Sequence, residues 1–201
     1  VLRSPHAHAR VVAVDVSRAL AAPGVRAVVT GRDFSFAFGS SIQDQPFLAI
    51  DRVRFVGEPV AAVAAETELQ AQEARDLITV EYEELPAVLD ARAALAAGAP
   101  LVHPDLHLYS CGSGEIVPHS NVCTISRYSH GDVAGTLREA DFVFEDEFTA
   151  HAVSHAALEP HCAVVQYDPG TGGYTLWASS DRPFRLRSEL AAALGLTSGQ
   201  V

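Results

Sequence analysis

Nine histidines are the first residues of this 201-residue sequence that could do chemistry, because the neutral imidazole is a common metal ligand. His151, His155 and His161 lie close together in the chain, and Glu159 lies between the last two. A zinc hydrolase needs two such ligands on one helix with a general base beside them. The residues before His151 alternate as a strand does, which would place His151 and His155 about 13 Å apart on one face, and Pro160 interrupts the second pair. We therefore expect polar histidines here and no metal site, with a histidine-based zinc protein kept as an alternative.

Other reactive side chains lack the surroundings that catalysis requires. The sequence contains no Gly-x-Ser-x-Gly motif that would expose a serine nucleophile. Glu58 lies in a Gly-Glu-Pro turn, where a carboxylate is expected to bond to nearby amides. Cys111, Cys123 and Cys162 are too few and too irregularly spaced for a disulfide framework or a thiolate metal site. A reducing compartment, the bacterial cytoplasm, is therefore predicted.

The segment from Trp177 to Pro183 is the most promising place for a ligand. A predicted strand ends there and a predicted helix begins, so free backbone amides and the positive end of a helix dipole meet at Ser180 and Asp181. Such junctions bind anionic groups. The alternative is that Ser180 or Asp181 only caps the helix.

The elements that must position these residues alternate between strand and helix in the first half of the chain. A capping-box spacing, Thr67 followed by Gln70, marks the clearest helix start. A Gly-Glu-Pro turn predicts a hairpin between residues 52–56 and 60–65. The other predicted elements are strands over 10–14, 25–30 and 78–83 and short helices over 18–22 and 90–97.

Residues 98–120 are broken by glycine and proline, and we predict that they connect two domains, 1–97 and 121–201. In the second domain the patterns predict strands over 121–128 and 141–149, a short helix after Gly131-Asp132, paired strands over 162–167 and 174–177, and a helix over 183–194. The chain as a whole is predicted to be α+β, with mixed sheets and short helices.

Composition narrows the range of partners. The formal net charge is −11, with 14 basic and 25 acidic residues, which argues against nucleic acid or an acidic membrane face as a partner. No apolar stretch approaches the roughly 20 residues that span a bilayer. The sequence contains no methionine, and we expect it to be a piece of a longer protein.

Several ordered motifs resemble the molybdenum hydroxylases, the xanthine dehydrogenase and aldehyde oxidase family, in their molybdopterin-binding large subunit. In the first half they are RSPHAHAR (3–10), PGVRAVVT (23–30), VRFVGEPVAAV (53–63) and VEYEELPAV (80–88). In the second half they are Gly131-Asp132, SHAALEPH (154–161) and LWASSDRP (176–183). The resemblance implies an α/β hammerhead domain followed by an incomplete α+β molybdopterin-binding domain.

The resemblance also implies a function. Members of this family hydroxylate an N-heterocycle, such as a purine, or an aldehyde, and take the oxygen from water. They use a molybdenum–molybdopterin cofactor and a glutamate base, and they pass electrons to 2Fe–2S and FAD groups on partner domains or subunits. We accordingly expect a cytoplasmic oxidoreductase that assembles into an oligomer, with a small-molecule substrate.

Two departures from the family pattern qualify this expectation. The family has Ser-Thr-Gln where this sequence has Ser179, Ser180 and Asp181, and a carboxylate beside an anionic cofactor costs energy unless it is protonated or paired. Arg182 is an available partner. The family's catalytic glutamate would lie beyond Val201, so we expect no catalytic residue among these 201 and no activity from them alone. A non-catalytic scaffold or subunit-interaction module is therefore the second hypothesis.

Overall fold

The computed structural model describes residues 1–34, 36–39, 42–111 and 114–201. The chain divides into two compact units, Val1–Ser126 and Arg127–Val201. Helices and strands occur in both units, as the α+β prediction requires.

Two three-stranded antiparallel sheets form the first unit, because its apolar, β-branched runs pair in two separate groups. Its strands are β1 (Leu2–Arg3), β2 (Ala9–Asp15), β3 (Val25–Thr30), β4 (Ala37–Phe38), β5 (Gln45–Pro46), β6 (Arg52–Val53), β7 (Pro59–Ala65) and β8 (Thr79–Glu84). The order is β1-β7-β3 in one sheet and β6-β2-β8 in the other, while β4 and β5 pair with each other.

The hairpin predicted between residues 52–56 and 60–65 is wrong. Strand β6 is only two residues long and pairs with β2, whereas β7 pairs with β1 and β3. The turn between them therefore carries the chain from one sheet to the other. In this turn the Glu58 carboxylate accepts the backbone N–H of Arg54 at 2.5 Å, which fulfils the structural role predicted for Glu58.

Three short helices, α1 (Ser17–Leu20), α2 (Glu68–Asp76) and α3 (Ala91–Ala94), accompany the sheets. The predicted capping box is present at the start of α2, with the Thr67 hydroxyl accepting the N–H of Gln70 and the Gln70 side chain accepting the N–H of Thr67. Ala74 of α2 is fully buried with Ala19 and Ala61. A second cluster contains Ala9, Val11, Ala49, Val53 and Val60, and partly buried Val14 and Val80 pack against both clusters.

The predicted connector, residues 98–120, contains a 3₁₀ turn at Leu106–Leu108 and lies within the first unit. Residues 121–128 do not form the predicted strand; Ile125 only makes an isolated bridge with Glu115. The side chain of Asn121 instead donates to the carbonyl oxygens of Ala94 and Pro100. The domain boundary at 98–120 stays a prediction.

The second unit contains the helices α4 (Val133–Glu139) and α5 (Pro183–Leu194) and the strands β9 (Ala163–Asp168) and β10 (Gly173–Ala178). Asp132 caps α4 through the N–H of Gly135, as the sequence indicated. Strands β9 and β10 form the predicted antiparallel hairpin, and α5 ends at left-handed Gly195. In the described part of the chain, no helix combines the length and the apolar character needed to cross a membrane.

The strand predicted over 141–149 is wrong as well, since this stretch forms no ladder. Its alternating phenylalanines, Phe142, Phe144 and Phe148, are 81–90 % exposed. Alternation specifies a face only when a neighbouring strand supplies hydrogen bonds and a core, and neither is present within the unit.

Candidate functional site

The junction between β10 and α5 places the two predicted site residues, Ser180 and Asp181, on a short turn. Strand β10 ends at Ala178, and the hydroxyl of the next residue, Ser179, donates to the Glu159 carboxylate at 3.1 Å. The backbone N–H of Ser179 also donates to the carbonyl of Cys162 at 3.4 Å. These bonds attach the turn to residues 159–162, which precede β9.

Neither predicted side chain caps the helix. Arg182 occupies the N-cap position of α5 and Pro183 lies in the first turn, and the N-cap side chain makes no capping hydrogen bond. The Ser180 hydroxyl instead accepts the N–H of Arg182 at 3.1 Å, one residue before the helix. The capping alternative therefore does not explain Ser180 or Asp181.

Asp181 lies at the surface of the second unit. Its side chain is 88 % exposed, and its Oδ2 lies 3.6 Å from the guanidinium Nε of Arg182. Arg182 is the partner that the sequence suggested for this carboxylate. An exposed pair of this kind contributes little to stability in water.

Beside the turn lies a cavity of about 330 Å³, and Ser180 is one of its lining residues. Phe184 and Arg187 of α5 line it too, with the Arg187 guanidinium 5.8 Å from the centre of the Phe184 ring. Aromatic, hydroxyl and cationic groups are therefore presented together next to the uncapped start of a twelve-residue helix.

This donor set fits an anionic, phosphate-bearing cofactor such as molybdopterin. Oxyanions bind to free helix amides, hydroxyls and guanidinium groups. All three are present here, as the uncapped amides of α5, the Ser180 hydroxyl and the guanidinium groups of Arg182 and Arg187. Asp181 is compatible with such a ligand because Arg182 offsets its charge. The assignment of Ser180 and Asp181 to the cofactor stays a prediction.

The histidines that suggested zinc are dispersed. His151, His155 and His161 lie in an exposed stretch without helix or strand, so the strand spacing expected for them does not exist. Among the residues that the structure describes, no group of three or more His, Cys, Asp or Glu side chains is placed to hold a metal ion.

Sequence reasoning missed a second cavity, of about 450 Å³, in the first unit. Arg54, Glu58 and His103 line it together with phenylalanine rings. The Gly-Glu-Pro turn was a local signal for Glu58. His103 comes from residues treated as a connector, and only the tertiary fold brings it to this turn.

Two family models match the chain in the order expected from its motifs. Residues 1–86 match the aldehyde oxidase and xanthine dehydrogenase a/b hammerhead domain. Residues 116–201 match the molybdopterin cofactor-binding domain. Between them the two models include the Gly-Glu-Pro turn and the Ser180–Asp181 turn.

Known proteins match the chain over nearly all of its residues. The nicotinate dehydrogenase large molybdopterin subunit of Eubacterium barkeri is 35% identical over 100% of this chain and 44% of its own length. A probable xanthine dehydrogenase subunit of Bacillus subtilis is 36% identical over 95% of this chain and 24% of its own length. The chain thus spans less than half the length of these curated relatives.

Solved structures give the same result. Quinoline 2-oxidoreductase from Pseudomonas putida 86 superposes with a TM-score of 0.78 at 32% identity and covers 99% of this chain, which corresponds to 25% of that protein. Carbon monoxide dehydrogenase from Oligotropha carboxidovorans gives a TM-score of 0.80 at 31% identity over 98% of this chain and 25% of that protein. The chain belongs to the aldehyde oxidase and xanthine dehydrogenase family of molybdenum hydroxylases and carries its hammerhead and molybdopterin cofactor-binding domains.

Proposed function

We propose that the whole protein is the large subunit of a molybdenum-dependent hydroxylase that oxidises an N-heterocycle, purine-like, or an aldehyde, with water as the oxygen source. The observation that carries this proposal is the ordered match of the hammerhead and cofactor-binding models to residues 1–86 and 116–201. Relatives named for nicotinate and xanthine support a heterocyclic substrate. The matched chain is a quarter to less than half of each relative, so we expect the 201 residues alone to be inactive.

The bound molybdopterin group would supply the redox chemistry, and the chain would supply binding and orientation. Ser180 would donate its hydroxyl to an oxygen of the group, and the uncapped amides of α5 would face its negative charge. Arg182 would neutralise Asp181, which otherwise repels an anion. Ser180, Asp181 and Arg182 thus have separate roles in the proposed site.

The proposed electron acceptors are 2Fe–2S and FAD groups on partner subunits or domains. Support comes from relatives that are named as large or gamma subunits, including a carbon monoxide dehydrogenase large chain. We also propose an oligomeric assembly in the cytoplasm. The cytoplasm is proposed because the count and spacing of Cys111, Cys123 and Cys162 do not suit a disulfide framework.

The test is to express the complete reading frame in a bacterium that makes the cofactor and to measure molybdenum by mass spectrometry and pterin by fluorescence. We expect both in near-equal amounts with the polypeptide, and oxidation of hypoxanthine, nicotinate or an aldehyde with an artificial electron acceptor. Ser180→Ala should lower the cofactor content, and Asp181→Asn should keep or raise it because it removes a like charge. Asp146→Asn, an exposed carboxylate of the same unit, is the matched control and should change nothing.

The competing function is a non-catalytic scaffold, which the high exposure of Asp181 favours. A folded, full-length protein that contains neither molybdenum nor pterin, from cells that load another molybdenum enzyme, would establish the scaffold and refute the hydroxylase. A Ser180→Ala protein that binds as much cofactor as the wild type, or an Asp181→Asn protein that binds less, would refute only the role given to that residue.

A further inference from the structure

The cavity of about 450 Å³ in the first unit has the size of a small-molecule site. Its lining comes from three parts of the chain: strands β4 and β5, the Arg54–Pro59 turn, and Val102–His103. All of its lining residues belong to the first unit, and none belongs to the Ser180–Asp181 turn. We name it the hammerhead cavity.

One wall of the hammerhead cavity is aromatic. Phe38 and Phe47 lie with their ring centres 5.5 Å apart, and Phe47 is also within 5.9 Å of the rings of Phe34 and Phe36. Phe55, on the Arg54–Pro59 turn, adds a third lining ring and is 55 % exposed. Solvent-exposed rings that are supported from behind by other rings favour a flat, aromatic ligand.

The polar edge of the cavity contains an unmet hydrogen-bond donor. The Nε–H of Arg54 is buried and makes no hydrogen bond to any residue that the structure describes. The guanidinium is turned towards its own strand, with one terminal nitrogen 3.3 Å from the Arg52 carbonyl. A buried donor without an acceptor is costly, so the Arg54 guanidinium would gain by turning towards a ligand acceptor in the cavity that Arg54 lines.

Two carboxylates and a histidine complete the polar edge. Glu58 is only 7 % exposed and accepts the Arg54 backbone N–H. Asp44 lies 4.0 Å from Nε2 of His103, whose other ring nitrogen is 3.2 Å from the Tyr109 hydroxyl. The lining thus contains one guanidinium and two carboxylates, and this balance disfavours an anionic ligand while it offers acceptors to a ligand N–H.

We propose that the hammerhead cavity binds a neutral heteroaromatic molecule that presents a ring-nitrogen or carbonyl acceptor to Arg54 and an N–H donor to Asp44. The ring lies against Phe47 and Phe55. The site requires no molybdenum group and does not depend on the function proposed for the second unit.

The test is a titration of the 201-residue chain, followed by amide NMR shifts and by ligand-observed saturation transfer. Nicotinamide is the probe, because its neutral ring carries both an acceptor and an amide N–H. Nicotinate has the same ring with a carboxylate, and we expect it to bind at least about tenfold more weakly because like charges meet in the cavity. Shifts should be concentrated at residues 44–47, 54–58 and 102–103.

Substitutions test the individual contacts between nicotinamide and the hammerhead cavity. Arg54→Met should weaken nicotinamide about tenfold, the effect of losing one hydrogen bond to a buried charged donor. Phe55→Ala should weaken it by a similar factor and leaves no hole in the core, since the ring is half exposed. Arg10→Met and Phe142→Ala change an exposed cation and an exposed ring elsewhere and should not alter binding.

The proposal is overturned by the absence of nicotinamide binding to the folded chain, by tighter binding of nicotinate, or by unchanged binding in Phe55→Ala. The NMR spectrum of each variant reports its fold directly. If Arg54→Met does not fold, Phe55→Ala and the comparison of the two probes decide the question.

Discussion

At the scale of single residues, the clearest case is Glu58, a carboxyl that is buried at a point where the chain passes from one sheet to the other. Its Oε2 accepts the backbone N–H of Arg54, and the side chain is 7 % exposed. Burial raises its pKa, and the Arg54 N–H opposes that rise without cancelling it. Glu58 thus stabilises the turn through its hydrogen bond, and its desolvation opposes that gain.

Replacement of Glu58 separates these two effects. Glu58→Ala leaves the Arg54 N–H without a partner in a buried turn, and we expect a loss of about 1–3 kcal/mol of unfolding free energy. Glu58→Gln keeps an acceptor and should cost less. Glu73→Ala, an exposed carboxylate on α2, is the control and should stay within about 0.5 kcal/mol of the wild type. The measurement is urea unfolding followed at NMR signals of the first unit.

The wild type and Glu58→Gln also give a test of how stability depends on pH. The pKa of Glu58 is raised above its ordinary value of 4.5, so the folded state holds this proton more tightly than the unfolded state. The stability of the wild type relative to Glu58→Gln should therefore fall as pH rises from about 4.5 and level off above the folded pKa. If this difference in stability rises with pH instead, the hydrogen bond from Arg54 outweighs burial in setting the pKa of Glu58.

Local sequence signals were sufficient to predict several caps and turns. They did not predict contacts between a side chain and residues that are distant in the sequence. Thr67, Asp132 and Glu58 satisfy backbone groups within four residues, so spacing alone predicts their roles. Ser180 and Asp181 lie on the predicted turn between a strand and a helix. The partner of the neighbouring Ser179 was not predictable from the turn itself, because Glu159 lies twenty residues earlier in the chain.

At the scale of elements, strand positions were easier to predict than strand pairing. The apolar runs over residues 25–30 and 60–65 favour strands because they contain β-branched valines, and both strands are present. Pairing depends on tertiary structure, and here β7 lies between β1 and β3, with β3 some thirty-five residues earlier in the chain. A tight turn between two apolar runs is therefore insufficient evidence for a hairpin.

The connection after β3 shows how an element can depend on one small residue. A Cβ on Gly31 would lie 2.6 Å from the carbonyl oxygen of Leu48 and closer still to that of Ala49. The N–H of Ala49 donates to Pro59 of β7 at 2.7 Å, which holds this stretch in place. Because these close neighbours are backbone atoms, they cannot move aside as the end of a flexible side chain could.

We expect Gly31→Ala to destabilise the first unit by about 1–3 kcal/mol, the usual cost of an overpacked site. Gly199→Ala is the matched control, since its nearest neighbour would be the Thr197 hydroxyl at 4.0 Å. Urea unfolding monitored separately at NMR signals of the two units measures both changes. Equal stability of the Gly31→Ala protein would mean that the 48–49 backbone moves aside at little cost.

At the scale of the whole molecule, the two units differ in how completely each buries its apolar side chains. In the first unit, two clusters of buried residues lie among the sheets and helices. In the second, apolar side chains are largely exposed, among them Phe142, Phe144, Phe148, Val153, Leu158 and Phe184. The chain spans a quarter to less than half of its relatives, and we infer that further polypeptide covers this surface in the whole protein.

This inference predicts where proteases cut. Residues 141–162 are exposed and contain no helix or strand, and chymotrypsin sites occur there at Phe142, Phe144 and Phe148. Limited chymotrypsin digestion of the 201-residue chain, read by mass spectrometry, should cleave at these positions first and leave the 1–126 unit intact. Phe184, exposed but within α5, is the internal comparison and should be cut later because the helix must open first.

The complete reading frame should resist the same digestion. If 141–149 pairs as a strand with polypeptide outside these 201 residues, the alternation that predicts a strand there is satisfied and its backbone is no longer accessible to the protease. Cleavage at Phe142, Phe144 or Phe148 with equal rates in the short and the complete proteins would contradict this explanation. The three phenylalanines would then be exposed in the complete protein as well. The strand would be missing because residues 141–149 do not form one, and not because a neighbouring strand is absent.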